Sequence, residues 1–192
     1  LLAVFFYINS RRMQKRHRLM ILGALVSLCA GDTILLEGTP FYSFILGLVL
    51  FLVAMLLYSL YFYKQVRYDI DRLIPFLAAS LLISLSMIYL IFDNLNNLLI
   101  PVILYMAIVL NFLKLAYLRY KNVNTLSYRL VFSGVILFTI AQILIALNRF
   151  HEALPYKDIV IMSLYGVSQL LIILGVLVVK NQEEIKEDPF LM

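Results

Sequence analysis

The sequence predicts an all-α protein, a polytopic transmembrane helix bundle, and three observations carry that reading. Hydrophobic residues make up 64% of the 192-residue chain and charged residues 14%, against about 45–50% and about 25% in ordinary soluble domains. The charges do not form a polar shell; they gather in short stretches between long apolar runs, as in membrane proteins. Those runs are each near the roughly 20 residues a helix needs to cross about 30 Å of hydrocarbon. Lipid offers no hydrogen bonds, so the backbone of such a run must pair with itself, which a helix does within one segment. Barrel strands would be about half as long and would alternate polar with apolar residues, and these runs do not alternate.

Taken in chain order, Leu1–Ile8 is already apolar and the chain opens on Leu rather than Met. This stretch reads as the end of a partial, seventh span whose beginning lies upstream. A cleavable signal peptide does not fit, because no small-residue cleavage site follows and the next segment is strongly basic,. Six full spans are then expected at Leu19–Leu36, Phe41–Tyr63, Leu73–Phe92, Leu98–Leu118, Leu130–Leu147 and Ile159–Val179. Residues 1–180 read as a single transmembrane domain. Residues 181–192, with Glu183, Glu184, Glu187 and Asp188, read as a polar, solvated tail,.

Orientation follows from Lys and Arg. Arg11, Arg12, Lys15, Arg16 and Arg18 precede the first full span; Lys64, Arg67 and Arg72 follow the second; Lys114, Arg119, Lys121 and Arg129 surround the connection after the fourth; Lys180 and Lys186 are in the tail. The opposite side holds Arg149 and Lys157, so fourteen of the sixteen basic residues fall on one side. That asymmetry places the basic connections and the C-terminus in the cytoplasm. Tyr58, Tyr61, Tyr63 and Tyr68 are expected at the cytoplasmic rim, where amphipathic rings are favoured. Short loops and the lack of sorting signals point to a bacterial inner membrane. The net charge of +5 reflects this topology and attraction to anionic headgroups, and no nucleic-acid partner is implied.

Soluble-enzyme motifs are absent. There is no phosphate-binding glycine loop, paired-cysteine site or His-x-x-x-His, so no metal and no cofactor are expected. His17 and His151 fall in connections on opposite sides, and the single cysteine, Cys29, reads as a small packing residue within a span,.

The informative residues are the polar groups inside the spans. Asp32 is the one acidic residue of eleven that lies within an apolar run. A charged carboxylate there is costly, so it is protonated, paired or turned to a polar cavity, and it is a functional candidate by default; the structural alternative is a hydrated group capping a helix end. Gln142 and Gln169 join it. Counting about 1.5 Å per residue, Asp32 lies about 6 Å and Gln142 about 8 Å below the outer ends of their spans, at depths where they could share a cavity. Gln169 is nearer mid-membrane, with Tyr165 one turn before it on the same face. Interhelical hydrogen bonding is the structural alternative for both glutamines, and for Asn111. Gly23, Ser27 and Gly31 form a small-residue stripe that lets a neighbouring helix approach and sets Asp32 beside it. Ser80 and Ser84 give the third span a similar polar face, and both this pair and the stripe read as packing features,.

The string Gly31-Asp32-Thr33-Ile34-Leu35-Leu36, followed by Phe44, Gly47-Leu48, Phe51-Leu52, Ala54 and Tyr58, resembles the YhhN family, which includes the lysoplasmalogenases. Three further blocks are similar to it in the same order: Pro101-Val102 with Tyr105; Ser133-Gly134 and Leu137-Phe138 with Leu144, Ala146-Leu147-Asn148-Arg149-Phe150; and Tyr165 with Gln169-Leu170-Leu171-Ile172. The resemblance implies an integral membrane fold of eight helices in the intact protein. It also implies cleavage of the vinyl ether bond of lysoplasmalogens, with release of a fatty aldehyde and a glycerophospho-alcohol. On that reading Asp32 and Gln142 are the catalytic pair, and Tyr165, Gln169, Tyr58 and Tyr105 bind the lipid substrate.

The chain departs from the family pattern at two positions. Where the family usually has a second aspartate, in a Ser-Asp pair after the Leu-Phe, this chain has Ala141-Gln142. Where it usually has a histidine after the alanine, this chain has Met55. Glutamine orients water but cannot exchange a proton usefully near neutral pH. Three readings follow: a divergent hydrolase; a catalytically silent member that binds lipid or packs as an accessory subunit against another membrane protein; and a small-solute transporter, which the lack of repeats and broken spans disfavours.

Overall fold

The computed structural model describes residues 1–11, 13–36, 41–66, 68–95, 98–151 and 156–179. The polar tail at 181–192, the connection at 37–40, and the basic residues Arg12, Arg67, Lys180 and Lys186 lie outside them. The fold is all-helical: α1 Leu2–Asn9, α2 Lys15–Leu36, α3 Phe41–Tyr63, α4 Ile70–Ile91, α5 Leu99–Leu118, α6 Thr125–Phe150 and α7 Lys157–Leu177, with a short 3-10 turn at Phe92–Asn94. Among the described residues six helices, α2 to α7, are long and apolar enough to cross a membrane. This is an integral membrane protein with a polytopic helical fold. The chain divides into two compact units, Leu1–Gln65 and Val66–Met192.

In the first unit α2 and α3 pack as a pair and α1 packs on α2. The small-residue stripe works as read. A Cβ on Gly31 would lie 3.4 Å from the Gly47 carbonyl oxygen, and one on Gly47 would lie 2.8 Å from Leu35 Cγ, so the two backbones meet at these glycines. Arg18 ties α2 to α1: its Nη2 donates to the Tyr7 carbonyl oxygen at 3.3 Å, and its guanidinium lies 4.1 Å from the Tyr7 ring centre.

In the second unit α6 and α7 form the closest pair, with α4 and α5 packed on α6. Two glycines fix the α6–α7 approach. A Cβ at Gly134 would fall 2.8 Å from the Ser168 carbonyl oxygen, and one at Gly175 would fall 2.6 Å from Val131 Cγ2 and 2.9 Å from Val131 N. Asn94 Nδ2 donates to the Phe150 carbonyl oxygen at 2.8 Å, satisfying one of the unpaired carbonyls at the end of α6. Pro101 sits in the first turn of α5, where its missing N–H costs nothing.

Three expectations need correction. His17 is in the first turn of α2 rather than in a connection, because the helix begins at Lys15, four residues before the apolar run. Tyr58 and Tyr61 are buried, while Tyr63 and Tyr68 are each 60% exposed; the first two continue the helical face of Phe51, Ala54 and Met55, which packs inward. Cys29 is exposed rather than packed, since it follows Val26 on the outward face of α2,. Ser80 and Ser84 are packing features, as expected: both are buried and each hydroxyl bonds within its own helix, to the Leu77 carbonyl at 3.0 Å and the Ser80 carbonyl at 2.7 Å.

Glycine packing gives the first prediction. Replacing Gly175 by Leu forces α6 and α7 apart and should cost about 1–3 kcal/mol or more. Replacing Gly166, which has nothing within 4 Å of its missing Cβ, by Ala should leave stability unchanged or raise it by about 0.5–1 kcal/mol. Thermal unfolding of the purified protein in detergent separates the two: the melting temperature should fall for the first and hold or rise for the second.

Candidate functional site

In the second unit three helices bring polar groups inward. Tyr105 lies six residues into α5, and its hydroxyl donates to Gln142 Oε1 on α6 at 2.6 Å. Gln142 is buried, and its Nε2 has no hydrogen-bond partner among the described residues. The tyrosine thus engages the acceptor end of the amide and leaves two N–H bonds unused. An unsatisfied buried donor costs about 1–3 kcal/mol, so this is a place where a water molecule or a ligand oxygen would bind.

One turn below Gln142 on the same face, Phe138 packs against Phe112 of α5, edge to face at 5.9 Å between ring centres, and against Tyr165 of α7 at 6.2 Å. Gln169 follows Tyr165 by one helical turn and is buried. The Ser168 hydroxyl between them donates to the Tyr165 carbonyl oxygen at 2.6 Å. The arrangement is an aromatic wall of Phe112, Phe138 and Tyr165 with a hydrogen-bonded Tyr105–Gln142 pair beside it. Apolar lining with a few fixed polar groups suits a ligand with a long hydrocarbon part.

The remaining sequence candidates lie in the first unit. Asp32 is half-buried on α2, next to Gly31, where the α2 and α3 backbones meet. Tyr58 is buried on α3 with its ring stacked on that of Phe62 at 6.3 Å. It belongs to the first unit, whereas Tyr105, Gln142, Tyr165 and Gln169 belong to the second.

Sequence reasoning missed Arg119. It was counted as a basic connection residue, but it directly follows the last residue of α5 and is 0% exposed. Its Nη2 donates to Ser127 Oγ at 3.1 Å, and the Ser127 hydroxyl donates to the Gly175 carbonyl oxygen at 2.7 Å. This chain links the end of α5, the start of α6 and the end of α7. A cation near the C-terminus of α7 also suits the negative end of its dipole. The signal available in the sequence was slight: an arginine abutting an apolar run, with a small hydroxyl eight residues on.

An all-helical membrane protein with a buried polar pair at this depth is the setting in which the family comparison can be read. The YhhN family model matches residues 1–176. The chain belongs to the YhhN family. No curated protein and no solved structure matches the chain.

The Tyr105–Gln142 bond gives the second prediction. Tyr105→Phe leaves both ends of a buried amide unsatisfied and should destabilise the protein by about 1–3 kcal/mol. Combining it with Gln142→Leu should recover most of that loss. A double-mutant cycle on thermal or denaturant unfolding reads the coupling directly; additive effects would mean that the bond contributes nothing.

Proposed function

We propose that the protein hydrolyses the vinyl ether bond of a lysoplasmalogen-type lipid and releases a fatty aldehyde. Membership of the YhhN family supports the reaction class. The observation that supports a surviving site in this chain is the buried Gln142 amide, held at its oxygen by Tyr105 with its N–H donors unused.

The chemistry assigns the roles. Asp32, as a carboxylic acid, donates a proton to the enol ether carbon remote from oxygen, giving an oxocarbenium ion. Water adds to the carbon bearing oxygen, and the carboxylate takes up the proton that water loses. The resulting hemiacetal then breaks its bond to the glycerol oxygen, yielding the aldehyde and the glycerophospho-alcohol. The same carboxyl group serves as acid in the first step and, as the carboxylate it leaves behind, as base in the second. Within the second unit, Gln142 offers its unused amide donors to a water or a lipid oxygen, and the Tyr165 ring and Gln169 bind the lipid. A cytoplasmic C-terminus, in a bacterial inner membrane, completes this reading.

The glutamine favours a second reading, since it removes the carboxylate the family usually has there: a catalytically silent member that binds a lipid, or that packs against another membrane protein. Aldehyde release from a lysoplasmalogen by the full-length protein in liposomes decides between them. The expected result is release by the wild type, a fall of at least about 100-fold in Asp32→Asn, as for loss of a general acid, and equal or greater activity in Gln142→Asp. No release from a well-folded wild type, with Gln142→Asp equally inert, would leave the silent reading standing.

A further inference from the structure

We propose that the basic end of the α2–α3 pair is a binding site for one anionic phospholipid, separate from the hydrolytic site and independent of it. A shallow, open groove of about 550 Å³ lies there, lined by Lys15, Arg16, Leu19 and Met20 of α2 and Leu57 of α3. Its lining is graded. Lys15 and Arg16 stand exposed in the first turn of α2. Leu19 and Met20 lie one turn further along, about 6 Å deeper, and Leu57 faces them from the neighbouring helix. A cationic rim above an apolar floor matches a phosphate with an acyl chain below it. Basic pockets between membrane helices on the cytoplasmic side bind anionic headgroups for this reason.

The electrostatics at this end run one way. Arg11, Arg12, Lys15, Arg16, Arg18 and Lys64 all flank it in sequence, and the two acidic residues of the first unit are Asp32 and Glu37. Asp32 lies sixteen residues beyond Arg16 along α2, about 24 Å away, and Glu37 follows the far end of that helix. The first turn of α2 has no acidic residue and carries Lys15, Arg16, His17 and Arg18. Cations at a helix N-terminus oppose its dipole, so an anion beside them relieves a repulsion that the unit does not itself neutralise. His17 and Arg18 are committed elsewhere: the histidine ring meets Tyr61 edge to face at 5.4 Å, and Arg18 is held by Tyr7. Lys15 and Arg16 remain at the rim. A soluble anion would engage Lys15 and Arg16 alone, whereas a phospholipid also lays its chain along Leu19, Met20 and Leu57.

The test is retention of lipid by the full-length protein. It is purified from vesicles of phosphatidylglycerol and phosphatidylcholine in equal parts and examined by native mass spectrometry. The wild type should keep one phosphatidylglycerol in preference to phosphatidylcholine. Lys15→Gln with Arg16→Gln should weaken that retention roughly 30-fold, at about fivefold per charge. Leu19→Trp, at an exposed position of the floor, fills the groove with no change of charge and should lower retention as well. Arg129→Gln, an exposed cation on α6, should leave it unchanged. Equal retention of the two lipids by the wild type would overturn the proposal. So would an Arg129→Gln effect as large as that of the double variant, which would mean diffuse attraction, or full retention by a folded Leu19→Trp.

Discussion

In a bilayer, apolar surface gains little by leaving lipid for another helix, so helices associate where their backbones can come close. This fold depends on four glycines that allow it. Gly31 and Gly47 bring α2 and α3 together in the first unit, and Gly134 and Gly175 bring α6 and α7 together in the second. The contacts also set the register of what lies beside them. Gly134, Phe138 and Gln142 follow one face of α6 at four-residue spacing, and Gly134 meets α7 at Ser168 and Ile172. That approach fixes how near Phe138 comes to Tyr165 and how deep Gln142 sits. Asp32, next to Gly31, is placed by the same device in the other unit.

Close packing leaves no water to satisfy polar side chains, and the chain answers in two ways. Most hydroxyls are turned back on their own helices, as Ser80, Ser84, Ser86, Ser133 and Thr139 are. At the Arg119 end of the second unit a cation, a hydroxyl and a helix-terminal carbonyl are linked across three helices. Gln142 follows neither pattern, for its oxygen is engaged and its nitrogen is not. In a medium where each unpaired group is costly, that unused donor sets Gln142 apart from the hydroxyls turned back on their own helices.

Hydropathy made the six spans legible, but it measures hydrocarbon thickness rather than helix length. The helices run on where charges begin: α2 starts at Lys15, α4 takes in Asp71 and Arg72, and α6 starts at Thr125 and includes Arg129. Backbone hydrogen bonding continues into the headgroup region, where charged side chains reach water. This is also why His17 was read as a connection residue. Asp32, Gln142 and Gln169 stood out because a polar residue in an apolar run is conspicuous. The Tyr105–Gln142 bond did not, since it depends on how α5 is rotated against α6, and composition carries no record of rotation. Tyr58 and Arg119 were misjudged for a related reason: both types are common at a membrane rim, and which face they take is decided by the packing of neighbours.

For the proposed reaction, an amide at position 142 in place of the carboxylate the family resemblance implies has a definite chemical consequence. Both groups accept a hydrogen bond from the Tyr105 hydroxyl, so the α5–α6 link survives the change. The second oxygen of a carboxylate accepts, however, whereas the amide nitrogen donates. A position that could take a proton from water becomes one that holds an oxygen by donating to it. In the proposed reaction, proton transfer then falls on Asp32 alone. One carboxyl group suffices in principle, because the acid that protonates the enol ether is left as the base that the following water needs. What the second carboxylate would have added is electrostatic stabilisation of the oxocarbenium ion, and an amide gives that only through the orientation of its dipole. On the proposed reading, a slower reaction at a retained site is therefore the outcome the chemistry favours over the loss of both.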